Sequence, residues 1–359
     1  MKRAFRCAAA VLAVVAAISV APPGVSAAEG FAPSSTGWVG PERGFVLGYA
    51  RCGGGWCPQL KATDDGGTHW RFLQAPPVPY PDNHNRVRIV AADDQHLYVT
   101  DGTEIRATRD QGKHWYAVGL AGAAAKRYVA KVVEFAGRSF ALVTGDGGAA
   151  NVYAGAAGAP VLTPAPGLRI EGENTGGDLS VRGGLQIVLD ADHRAERYWT
   201  SHDGVAFATA PSPCPAGENA SLGGVQDGQV TALCNSGPAV PQPGHMMREL
   251  WRARRFGGIF SGTAAAPNTG ITLSFGAATA ESATVAAEGG AAEFLHHTTD
   301  GGRTWSTTVL SEHGYGVADL AFPDNRIGVL VEGLPDAESG ARLYRTTDGG
   351  RTWHPLALG

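Results

Sequence analysis

Arginine, tyrosine, glutamate and histidine residues recur in this chain at positions that share one feature: each closes a linker just ahead of a short apolar segment. In order they are His84, Asn85 and Arg86, then Arg127 and Tyr128, then Arg169, Glu171 and Asn174, then Glu218 and Asn219, and finally His313 and Tyr315. These types suit an anionic or sugar-like ligand. A guanidinium grips a carboxylate with two parallel hydrogen bonds, and a phenol ring stacks on a cyclic group. A plain solvated loop face is the competing reading, and on sequence alone both stay open. Other chemistry has less to work with. His296 and His297 adjoin without the spacing of a zinc site. No Gly-rich phosphate loop opens a helix, and no serine nucleophile elbow stands out. Neither a metal nor a cofactor is expected.

Only a repeated scaffold could gather residues so far apart. The stretch Thr298-Thr299-Asp300-Gly301-Gly302-Arg303-Thr304-Trp305 recurs letter for letter from Thr346 to Trp353. It reads as a tight turn: the Asp carboxylate accepts backbone N–H bonds of its own bend, and the glycines take positive φ at no steric cost. The Trp supplies a flat apolar surface to bury next door. Relaxed copies fall at Thr63, Asp65, Gly67 and Trp70, and at Thr108, Asp110, Gly112 and Trp115; a shortened one centres on Asp203 and ends in Phe207. The Asp positions are spaced 45, 93, 97 and 48 residues apart. Two gaps are double the others, which predicts eroded copies with Ala156 and Arg255 at the Asp position. Seven units of similar length then fill the chain.

Each unit carries four short apolar segments. They are clearest at 317–322, 327–331, 341–346 and 353–358, and at 271–275, 283–287, 293–298 and 305–310. Helical periodicity is absent. Four-stranded units repeated in this way predict an all-β fold, a seven-bladed β-propeller of antiparallel blades, because one small sheet cannot bury both faces until it is stacked in a closed ring. Each blade is expected to be contiguous, with the ring closed by packing of the last blade on the first.

Residues 1–27 are set aside as a secretory signal peptide: Lys2, Arg3 and Arg6 precede an uncharged run of 15 residues, and Val25-Ser26-Ala27 is a small-residue cleavage site. The run is short for a bilayer, which takes about 20 residues. Residues 28–359 form one domain, secreted and with no membrane span. Loss of the leader takes the formal charge from −4 to −7, and mild acidity argues against nucleic acid.

The Thr-x-Asp-x-Gly-x-x-Trp turns resemble the Asp-box, or BNR, repeats of sialidases, xyloglucan-degrading hydrolases, sortilin-type receptors and seven-bladed photosystem II assembly factors. The resemblance spans the mature chain. It implies Asp turns between the third and fourth strands, on the face away from the functional mouth, so Asp65, Asp110, Asp203, Asp300 and Asp348 are structural. Both cysteine pairs then fall on the mouth face, and disulfides 52–57 and 214–234 are expected in an exported chain. The Pro- and Gly-rich insertion at 235–245 lies there too.

A sialidase-like site would draft Arg86, Arg127 and Arg169 onto a carboxylate, with Tyr315 as nucleophile and Glu171 assisting it. The chain departs from that pattern: Val87-Arg88-Ile89-Val90 lacks the proline of the Arg-Ile-Pro motif, and sialidases have six blades. The expectation is a monomeric, non-catalytic module that binds an extracellular protein or glycan, with a divergent sialidase-like glycoside hydrolase as the alternative.

Overall fold

The computed structural model describes residues 30–81, 86–145, 148–192, 194–238, 243–313, 316–335 and 340–359. The leader expected at 1–27 lies outside them, as do His84, Asn85 and Tyr315. Among the described residues there are 28 strands and no helix, hence none long and apolar enough to cross a membrane.

The strands fall into seven consecutive runs of four, at 32–73, 88–120, 127–171, 176–210, 219–265, 271–311 and 317–355. Inside a run each strand pairs antiparallel with the next. Five runs are separate sheets. The second and third share an eight-stranded sheet, because their outer strands touch in parallel where Val161 meets Gly119 and Leu162 meets Leu120. The segments expected in the sixth run appear as Ile271–Ala277, Ala283–Gly289, Ala292–Thr298 and Ser306–Ser311. The segment expected at 353–358 shrinks to His354–Pro355. It is an outermost strand with one neighbour, and proline has no N–H to give a ladder.

Burial falls from the middle of each sheet to its rim. The second strand Gly44–Cys52 buries Phe45, Val46, Leu47 and Tyr49 in near succession, and Leu185–Ala191 does the same with Leu185, Ile187, Val188 and Leu189. Unbroken apolar runs of this kind mean that both faces of the strand are covered. On the outer strands Phe72 stays 63% exposed and Val309 52%.

The hydrophobic core is a circle of clusters, one at each junction between runs. Leu47 shares a cluster with Leu97, Tyr98 with Val132, Phe140 with Ile187 and Val188 with Val230. Leu250 then joins Ala277, and Leu295 joins Leu330. The last cluster, with Val46, Val331 and Leu343, seats the seventh run on the first. Polar contacts reinforce that junction: Asp319 accepts the Thr36 N–H at 2.9 Å and the Ser35 hydroxyl, and the Trp70 indole donates to the Ala357 carbonyl at 2.9 Å. The buried Lys61 ammonium donates to the Leu358 carbonyl at 2.7 Å.

The repeated turns connect the third and fourth strands of their runs. In the sixth run the buried Thr298 hydroxyl donates to Asp300 Oδ1 at 2.9 Å and accepts the Gly302 N–H at 2.9 Å. Asp300 Oδ1 also takes the Thr304 N–H at 2.9 Å, and Oδ2 takes the Thr304 hydroxyl at 2.7 Å. Gly302 needs its φ of +90° to aim that N–H inward. Asp65, Asp110 and Asp348 are held alike, with His69 and His114 in place of the second threonine in the first two. In the shortened copy Asp203 reaches the Val205 and Ala206 N–H groups instead. Of the two copies inferred from spacing, Ala156 is the last residue of its strand, ahead of the turn at 157–158, whereas Arg255 lies within a bend. At the first, the Ala157 N–H still donates to the Gly137 carbonyl at 2.8 Å, as Gly301 does to Glu281 and Gly349 to Arg326. The backbone bond is present there without a carboxylate.

Candidate functional site

Antiparallel pairing sorts the connections into two ends. The Asp turns share an end with the connections from first to second strand, as the bond from Gly301 to Glu281 shows. The starts of the first strands and the ends of the second lie at the other. First strands from all seven runs line a central cavity of about 800 Å³. Its mouth, at the end away from the Asp turns, is walled by Arg88, Tyr128, Asp190, Asn219, Asn235 and Thr272. Deeper in, Trp38, Val181, Phe275 and Phe322 make the walls apolar.

Two kinds of carboxylate face this cavity. Asp178 is fully engaged: it accepts the Lys131 ammonium at 2.6 Å and the Leu222 N–H at 2.8 Å, and so ties three consecutive runs together. Asp190 is not. Its Oδ1 is buried without a hydrogen-bond partner. Burial, and then the charge of Asp178, push its carboxyl up to about 7. Gly176 pairs with Asp190 and Asp178 with Val188, so the two carboxylates are diagonal neighbours on one face of the hairpin. Asn219 Oδ1 and Arg88 Nε are likewise buried without partners.

Of the residues chosen from sequence, Tyr128 and Asn219 reach the mouth. Tyr128 is 38% exposed. Arg86 stops short of it, in a small recess with Ser34, Arg88 and Asp319, where it approaches the Val317 carbonyl at 3.5 Å. Arg127 and Arg169 line a separate trough of about 410 Å³ on the third run, floored by Gly145 and Ala149. Arg169 pairs with Glu171 at 2.8 Å, and both are exposed. They stand on the strand Val161–Glu171 rather than in a linker. Glu218 holds the Ala195 N–H through its carbonyl, and burial followed by Glu249 raises its carboxyl. His313 is exposed beside Ser311. The mouth residues Arg88, Asp190, Asn235 and Thr272 were missed. The signal that could have found them is the first inward position inside each first strand, together with the end of the second.

Both disulfides form. Cys52 and Cys57 close a hairpin tip on the mouth side, where Arg51 stacks on Trp56 at 4.1 Å and Trp56 stacks on Tyr80 at 5.3 Å. Cys214–Cys234 ties the linker ahead of the fifth run to its second strand. At the opposite end Asp93, His96 and Glu134 bring one ligand atom each within 4.8 Å of one another. Those groups are already committed: Asp93 caps the Gln95 and His96 N–H groups and meets His96 Nδ1 at 2.8 Å, and Glu134 accepts the Tyr98 hydroxyl at 2.7 Å. The group braces a turn against the next run.

No protein-family model matches the chain, and no curated protein matches it in sequence. Solved structures do resemble it. YCF48 bound to D1 peptide is 16% identical over 90% of this chain and 94% of that one, with a TM-score of 0.52. An ulvan lyase of polysaccharide lyase family PL25 is 9% identical over 92% and 97%, with a TM-score of 0.59. An oligogalacturonate lyase in complex with manganese is 13% identical over 85% and 86%, with a TM-score of 0.52. These are β-propellers, and at such identities the likeness shows the fold alone.

Proposed function

We propose that this chain is an exported, seven-bladed propeller of the Asp-box kind, residues 28–359, that binds an extracellular protein or glycan at the end opposite its Asp turns and catalyses nothing. The single observation that carries this is the contrast between the ends. Each described Asp of the turns is spent on its own bend, whereas the Asp190 carboxylate at the mouth keeps a buried oxygen without a partner. The seven-blade count draws support from the seven runs and the core cluster at each junction. The candidate surface comprises Arg86, Arg127, Tyr128, Arg169, Glu171, Glu218, Asn219 and His313, with Arg88 and Asp190 added; His84 and Tyr315 remain candidates outside the described residues. YCF48, bound to a peptide, offers a precedent for binding by this fold and nothing closer.

The hydrolase alternative keeps one specific support. Asp178 and Asp190 are diagonal neighbours in one cavity, a separation suited to a pair of catalytic carboxylates, and burial raises the Asp190 carboxyl to about 7. Assay of the exported protein against fluorogenic sialosides and glucans separates the readings. Turnover that vanishes in Asp190→Asn would overturn the non-catalytic reading. Its absence, together with saturable binding to a glycan array or an extracellular protein panel that weakens in mouth variants, is the expected result. Sequencing the amino terminus of the exported chain tests cleavage after Ala27.

A further inference from the structure

We propose that the mouth between the fourth and fifth runs receives an organic cation, the ammonium or guanidinium group of a protein partner's lysine or arginine side chain, with Asp190 and Asn219 as acceptors and the Tyr128 ring beside them. This rests on the binding role proposed for that end and names its ligand chemistry.

The bond from the Leu222 N–H to Asp178 sets the fourth and fifth first strands side by side. Two residues nearer the mouth, Gly176 is level with Ala220, and Gly176 pairs with Asp190. One residue beyond Ala220, Asn219 lines the same mouth as Asp190, on a strand packed against that of Asp190. Each presents a buried oxygen that accepts nothing. An orphaned buried acceptor costs about 1–3 kcal/mol, and a ligand carrying several N–H donors would repay that at both oxygens at once. A hydroxyl group would satisfy one oxygen and leave the carboxylate charge uncompensated. A cation does both, and the exposed face of Tyr128 favours it further.

The same wall already holds such a pair inside the protein. Lys131 reaches Asp178 from the neighbouring run, and the Asp190–Asn219 position repeats that arrangement one step nearer solvent without a lysine to fill it. Arg88, on a first strand two runs away from that of Asp190, would repel a second positive charge and limit the site to one. A bound cation stabilises ionised Asp190, whose carboxyl is otherwise raised by burial and by Asp178. Binding must then release a proton and tighten as pH rises through about 7. The charged groups on the described parts of strands packed against that of Asp190 are Asp178, Arg169, Glu171, Arg194 and Arg197.

The test is calorimetry on the full exported chain, with short Gly/Ser peptides carrying a central lysine, arginine or norleucine, and with calcium chloride alone. Expected are binding of the lysine or arginine peptide, none of the norleucine peptide, and at least a tenfold loss in Asp190→Asn, which mimics the neutral acid and keeps the fold. Asn219→Ala should weaken binding several-fold. Equal binding of lysine and norleucine peptides, an unchanged Asp190→Asn, or calcium occupying the site in place of the peptides would overturn the inference. If cations fail but a glycan binds and is lost on Tyr128→Ala, the ligand class is wrong and the binding role survives. If no ligand of any class responds to mouth variants, both fail.

Discussion

The two ends of the molecule treat the same side chain in opposite ways. At the turn end, Asp300 takes the Thr304 hydroxyl and N–H on an open surface, and these bonds hold its carboxyl down at about 2. At the mouth, Asp190 is buried beside a second carboxylate, with an oxygen that no donor reaches, and its carboxyl is raised to about 7. One end uses carboxylates to fix backbone; the other keeps one in reserve. The means of fixing each end differ accordingly. Repeated hydrogen-bonded bends close the turn end, while both disulfides lie on the mouth side, where the connections share no common geometry.

The largest test of this contrast removes the longer staple. Cys214→Ser with Cys234→Ser frees a loop with a sequence separation of 20. It should cost about 3 kcal/mol by loop entropy, read as a lower urea midpoint, with the Asp turns unaffected in threonine amide exchange. A loss under about 0.5 kcal/mol would mean that packing alone fixes the mouth.

A middle-sized effect is expected from Thr346→Val. This buried hydroxyl donates to Asp348 at 2.7 Å and accepts the Gly350 N–H at 3.0 Å. Valine removes both bonds and leaves the Gly350 N–H without its acceptor, for a loss of about 2 kcal/mol. Ser201→Ala, in the shortened copy, should cost about half as much because its hydroxyl reaches Asp203 only at 3.1 Å. Equal losses would show that the extra residue of the full turn adds nothing.

The pH dependence runs in opposite directions at the two ends. Asp190 has a folded value near 7 against an ordinary 3.8. Its share of stability is complete below pH 4 and is lost as pH rises through 7. Asp300 is depressed to about 2, so its share is present above pH 4 and is lost as pH falls towards 2. Urea midpoints across pH 4 to 8 should therefore decline more in the wild type than in Asp190→Asn. Parallel curves would remove Asp190 from the account.

Much of the fold was legible in the chain because its turns are chemical signatures. Asp300 and Asp348 announce a bend outright, and the spacing of their weaker copies led to a bend at Arg255 and to within a residue of one after Ala156. The mouth was less legible, for a reason of pleat. Side chains along a strand alternate between faces, so a one-residue error selects the wrong face. Reading linker ends pointed to Arg86, Arg127 and Tyr128, and of these the cavity receives Tyr128, one position beyond Arg127, together with Arg88, two beyond Arg86. Asp190 sits on a second strand, where no linker rule would look, and its unusual state depends on a burial that only the assembled ring supplies.

The junction between the seventh and first runs joins partners 283 and 284 positions apart, Asp319 with Thr36 and Ser35, whereas the other junctions unite consecutive runs. Joining distant segments carries a larger entropic toll than joining near ones. Assembly should thus proceed as an open arc of stacked sheets that grows in chain order and snaps shut last at this seam. The same place is where a crack would start under strain, making it the natural site for a covalent clamp in an engineered, hardened version of the wheel.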